Sequence, residues 1–97
     1  MSWLANLKEI FQNEQKFPYA FYVLVKVIPG FESEVFQKLE KIEEISECHK
    51  TFGDYDFVLI FRLEPNAENL SLVLSIAHEI EETNGVVIAN PISATRF

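Results

Sequence analysis

Two carboxylates and a tyrosine follow a glycine in the run Thr51-Phe52-Gly53-Asp54-Tyr55-Asp56-Phe57-Val58, and these are the residue types in the chain best suited to chemistry. Gly53-Asp54 lies between two alternating runs, 48–52 and 55–63. Glycine at the first central position suits a two-residue type II′ hairpin. A generic hairpin needs only those two residues. Asp is disfavoured beside strands, so Asp54 and Asp56 around Tyr55 call for a further reason. An amino-acid ligand needs an acceptor for its ammonium, which Asp54 or Asp56 supplies. It needs donors for its carboxylate, and backbone N–H groups around residues 53–55 can form such a nest. Gly53 allows close approach of backbone and ligand, and Tyr55 can flank a ligand side chain. The competing view is that Asp54 is only a turn residue, with Asp56 paired to Lys26 or Arg62.

Cys48 and His49 invite a metal or nucleophile reading, but neighbouring strand residues point to opposite faces. They cannot readily share one ion, and His78 belongs to a separate helix. Zinc and a Cys-His catalytic pair fail on the same geometry. No metal, cofactor or catalytic residue is expected. His78 reads as a solvated or half-buried helix residue. Glu40, Glu43, Glu44 and Glu47, like Glu79, Glu81 and Glu82, read as solvated acidic faces.

The 97 residues suffice for one small domain, and 48% hydrophobic with 13% aromatic residues supply a core. Fifteen acidic against 8 basic residues give a net charge of −7. A phosphate backbone repels that surface and no Lys/Arg cluster offsets it, so direct nucleic-acid binding is not expected. The lone Cys48 excludes an internal disulfide and fits a reducing compartment. The first residues lack a basic lead, and the longest apolar run, 17–25, is too short for a bilayer. The expectation is a soluble cytoplasmic protein with no membrane partner.

Around the hairpin, apolar spacing sets the elements. Trp3, Leu4, Leu7, Ile10 and Phe11 share one helical face, with Ser2 as a plausible N-cap. Residues 1–18 therefore read as an amphipathic helix, packing on its own domain or on a partner. Residues 20–28 read as a strand with Phe21, Val23, Val25 and Val27 on one face and Tyr22, Leu24, Lys26 and Ile28 on the other. After Pro29-Gly30, a helix over about 32–43 buries Val35, Phe36, Leu39 and Ile42. Strands follow at 45–52 and 55–63, the second with Phe57, Leu59 and Phe61 on one face. Asn66 caps a second helix with the stripe Leu70, Val73, Leu74, Ala77 and Ile80, ended by Asn84-Gly85. A last strand, 86–89, is interrupted by Pro91, which belongs at a sheet edge or bulge; any continuation runs to Phe97.

This order predicts an α+β, ferredoxin-like βαββαβ domain over 19–97, with both helices on one face of a four-stranded antiparallel sheet. The opposite face would carry Leu24, Val58 and Ile60 without cover, an apolar patch of roughly 400 Å². Such a patch predicts a homodimer or higher homo-oligomer.

The strand Ala20-Phe21-Tyr22-Val23-Leu24-Val25-Lys26-Val27, then Pro29-Gly30, a helix, and Thr51-Phe52-Gly53-Asp54-Tyr55-Asp56 resemble the C-terminal effector (RAM) domain of the Lrp/AsnC transcription regulators. The resemblance covers about residues 19–97. It implies a ferredoxin-like fold, sheet-to-sheet dimers forming an α/β barrel, and amino-acid effectors near the hairpin. The matching positions are Gly53, Asp54, Tyr55 and Asp56. Family regulators also carry a helix-turn-helix domain, for which the residues before the first strand leave no room. The resemblance is thus to a stand-alone form that modulates transcription through a full-length Lrp/AsnC-type regulator. Pro91 departs from the family's unbroken last strand. Two alternatives stand beside this: a ligand-free oligomerisation module, and a small dimeric α/β-barrel enzyme, for which His49 would be the strand base.

Overall fold

The computed structural model describes residues 20–92. The expected N-terminal helix and any strand continuation beyond Ile92 lie outside the described residues. Four strands and two helices follow one another as β1 (Phe21–Val27), α1 (Glu32–Glu40), β2 (Glu47–Lys50), β3 (Phe57–Phe61), α2 (Ala67–Glu81) and β4 (Val86–Ile92). The sheet order is β2-β3-β1-β4 with antiparallel neighbours. This is the ferredoxin-like arrangement. No helix among the described residues is long and apolar enough to cross a membrane.

Period-two alternation in the central strands builds the main core. Phe21, Val23, Val25 and Val27 of β1 and Phe57, Leu59 and Phe61 of β3 pack with Val35 and Leu39 of α1. Val73, Ile76, Ala77 and Ile80 of α2 close the same cluster. The Phe36 ring stacks on Phe57 at 5.7 Å between centroids.

Helix α1 stops at Glu40, earlier than its apolar spacing suggests. The N–H groups of Lys41 and Ile42 donate to carbonyls three residues back, those of Lys38 and Leu39. That tight last turn brings Ile42 and Ile45 onto the edge of the core. Helix α2 begins as expected: the Asn66 side chain accepts from the Asn69 N–H at 2.8 Å. Its buried face is not the expected one. Leu70 and Leu74 are 45% and 46% exposed, and Ile76 is buried instead. Residues 73, 76, 77 and 80 form an i, i+3, i+4, i+7 stripe, which leaves 70 and 74 on its flank.

Strand β4 runs straight through Pro91, which faces Val23, rather than ending at Ala89. β4 is an edge strand, so the missing N–H deprives no neighbour. The bulge is elsewhere: Lys26 faces Ile88 but Val27 faces Val86, so Val87 is an extra residue.

The sheet's second face also departs from expectation. Leu24, Val58 and Ile60 form a cluster with Ala20 and Tyr22, against which Tyr55 and Ile92 pack. Val58 and Ile60 are 0% exposed within the single chain. The apolar residues at the centre of this face are buried within the single chain, so it is not the open apolar patch inferred from alternation alone. A dimer argument from that patch therefore loses its premise.

Candidate functional site

The β2–β3 hairpin keeps its expected centre but not its expected turn. Glu47 faces Ile60 and Lys50 faces Phe57, a register that places Gly53-Asp54 at the tip. The regular strands nevertheless end at Lys50 and Phe57, and residues 51–56 form an open loop rather than a two-residue turn. Gly53 holds φ +107°, a conformation that L side chains rarely adopt.

Competing hydrogen bonds explain the loop. Thr51 N–H donates to the Asp56 carbonyl at 2.9 Å, and the Thr51 hydroxyl donates to the Tyr55 carbonyl at 2.8 Å. The Asp56 N–H turns away from the hairpin and donates to the Val25 carbonyl of β1 at 2.8 Å. The Asp56 carboxylate accepts the Val27 N–H through Oδ2, also at 2.8 Å. These bonds substitute side chains and a neighbouring strand for the last rungs of the ladder.

Gly53, Asp54, Tyr55 and Asp56 are thus brought together, but in unequal settings. Gly53 and Asp54 are exposed. Tyr55 is half-buried against the second cluster. Asp56 is half-buried and tied to the backbone. Its expected partners, Lys26 or Arg62, are not the ones it uses. Arg62 instead bonds Glu47, whose other oxygen meets His49 Nε2 at 2.6 Å. Glu47, two residues back along β2, is thus the carboxylate that meets the His49 ring.

Cys48 and His49 lie on opposite faces, as alternation requires. Cys48 packs against the main core, and burial, with the Glu40 carboxylate adding to it, pushes its thiol up to about 11. His78 is exposed on α2, 3.7 Å from Glu82. No cluster of three or more His, Cys, Asp or Glu among the described residues could hold a metal ion.

Three contributors were not singled out by residue type. Buried Thr51 staples the loop, the Val27 N–H receives the Asp56 carboxylate, and Phe52 stands 60% exposed beside the tip. A hydroxyl residue just before a Gly-Asp tip is a local signal that could have identified Thr51. Nothing local marks Val27, because its partner is 29 residues away.

A family model described as the Lrp/AsnC ligand binding domain matches residues 20–92. The HTH-type transcriptional regulator FL11 of Pyrococcus furiosus is 42% identical over 64 residues, 66% of this chain and 42% of its own length. The FL11 of Pyrococcus abyssi is 39% identical over the same shares. The chain thus spans about two fifths of the length of the curated relatives it matches. Among solved structures, TTHA0845 from Thermus thermophilus superposes with a TM-score of 0.64 at 22% identity, over 80% of this chain and 94% of that one. At that identity the likeness establishes the fold.

Proposed function

Because the chain belongs to the Lrp/AsnC ligand-binding domain family, we propose that it is an amino-acid effector-binding and oligomerisation module that modulates transcription through a regulator of the same family. The observation that carries this reading is the exposed Asp54 carboxylate next to positive-φ Gly53, on a loop stapled by Thr51 and Asp56. The acid supplies an ammonium acceptor, and half-buried Tyr55 supplies a wall for a ligand side chain. A loop fixed in advance spends less binding energy on ordering. The relatives named as transcriptional regulators support the regulatory context.

Oligomerisation rests on a different observation from the one the sequence suggested. Phe52 leaves most of its ring in water beside the tip, and a second copy meeting the hairpin would cover it. An effector held between two tips would then be enclosed from both sides. Light scattering at micromolar concentration should give a mass above the monomer, and a monomer mass overturns this part.

The direct test of effector binding is a thermal-shift panel of the standard L-amino acids at millimolar concentration. A ligand at 100 times its dissociation constant stabilises the fold by about 2.7 kcal/mol. For a domain of this size that is a melting shift of roughly 10 °C. A flat panel leaves the second reading, a ligand-free oligomerisation module. That reading is favoured by one observation: the Asp56 carboxylate already has a partner within the fold.

A further inference from the structure

The two carboxylates of the hairpin are usually interchangeable in a sequence argument, since either could meet an ammonium. Their surroundings separate them. Asp54 is exposed at the tip. Asp56 is at the junction of three strands: its carbonyl accepts from Thr51 just past β2, its N–H donates to Val25 of β1, and its carboxylate accepts from Val27 at the end of β1. Val27 in turn faces Val86 of β4 across the bulge at Val87. From the bulge, the Ile28 N–H continues to the Gly85 carbonyl at 2.8 Å.

We infer that Asp56 is a positioning residue: its carboxylate latches the hairpin loop to Val27, sets the presentation of the tip, and does not itself contact the ammonium of an effector. The chemistry suits that role. A strand N–H beyond the last β1–β3 rung needs an acceptor, and an ionised carboxylate is a stronger one than a carbonyl. The half-buried setting shields the bond from competing water. The latch also joins the loop to Val27, the β1 residue at the β1–β4 bulge.

This inference rests on the proposed effector site, and its test is built to fail separately. The full 97-residue chain is compared with Asp56→Asn, Asp56→Ala and Asp54→Asn. The first readout is hydrogen exchange at the Val27 amide, with Val23 on the same strand as internal reference. Asp56→Ala should lose about tenfold or more of the Val27 protection relative to Val23, because a donor is left without its acceptor. Asp56→Asn should retain most of it, since the amide oxygen still accepts. Unchanged Val27 protection in Asp56→Ala overturns the latch, whatever ligands do.

The second readout is the concentration of the most effective L-amino acid that gives half the melting shift. Asp56→Asn should leave it within about threefold of the parent chain, and Asp56→Ala should raise it about tenfold. A residue that only stabilises the fold would lower the melting temperature without moving that concentration. Asp54→Asn should abolish the shift while leaving Val27 protected. If Asp56→Asn abolishes the shift with Val27 still protected, Asp56 is the ammonium acceptor and the inference is wrong. If no amino acid shifts the parent chain, the effector reading fails, and exchange at Val27 alone decides the latch.

Discussion

Two glycines hold similar positive φ angles and have opposite surroundings. Gly85, after α2, has φ +94°, and Gly53, at the hairpin tip, has φ +107°. Gly85 is buried under Phe31, where an added Cβ would sit 2.6 Å from the ring carbon Cδ2. Gly53 is exposed beside Asp54. A similar φ thus serves packing in one place and leaves a polar loop open to solvent in the other. A glycine in a sequence reports the torsion only; burial decides which use it has.

The largest expected effect comes from breaking the closed corner. Gly85→Ala forces both a strained φ and a clash with the Phe31 ring, which packs against the main core. The loss should be about 3 kcal/mol or more in urea denaturation. A loss below about 1 kcal/mol would mean that Phe31 moves aside freely and that the corner is not closed. Gly53→Ala meets the torsional cost of φ +107° at an exposed position, about 1–2 kcal/mol. If the two variants cost the same, the contrast between corner and tip collapses.

Thr51→Val keeps the shape and removes the hydroxyl that bonds the Tyr55 carbonyl. It should cost about 1 kcal/mol and loosen the tip, seen as faster exchange across residues 52–55 with β1 unchanged. Asp54→Asn should be the mildest in stability, within about 0.5 kcal/mol, because its side chain is exposed. Any larger loss would place Asp54 among the structural residues and remove the main support for an effector site there.

The base of the hairpin contrasts with its tip in the same way, and pH sharpens the difference. The Cys48 thiol titrates near 11 in the folded chain against 9.0 for an unperturbed thiol. Below about pH 9 the thiol is neutral in both folded and unfolded states. As pH rises from there toward 11, the unfolded state loses its proton first, so stability falls. Alkylation of Cys48 at pH 8 should accordingly be slow until denaturant is added, and rapid labelling of the native chain would contradict a closed base.

The alternation of Phe21, Val23, Val25 and Val27 with Phe57, Leu59 and Phe61 was enough to assign the core face, and it carries the whole main cluster. Period-two burial depends on local backbone geometry, so it is legible residue by residue. The Asn66 cap was legible for the same reason, since a cap bonds within its own turn. Helix α2 shows where this stops. Leu70, Val73, Leu74 and Ala77 all fit a helical stripe, yet only part of it meets the sheet. How a helix is rotated about its axis is set by the surface beneath it, not by its own spacing.

At the site, the tip was legible as a set of residues and not as an arrangement. Gly53, Asp54, Tyr55 and Asp56 were chosen for their types, and the register indeed brings them to one tip. The open loop and the roles of Thr51 and Val27 were not legible, because they depend on bonds between β1 and the hairpin. The second sheet face differs for a similar reason: alternation puts Leu24, Val58 and Ile60 on a face with no cover expected from the same chain, yet all three are buried within it.

The sequence alone determined the order of elements, the core side of the sheet, the acidic charge and the tip residues, because composition, periodicity and caps act within a few residues of one another. Tertiary structure decided which carboxylate is free, which leucines face water and whether the second face is open. Each of those depends on what a distant segment places beside the residue, and the Asp56 carboxylate at 2.8 Å from the Val27 N–H is the case that matters most for the proposed site.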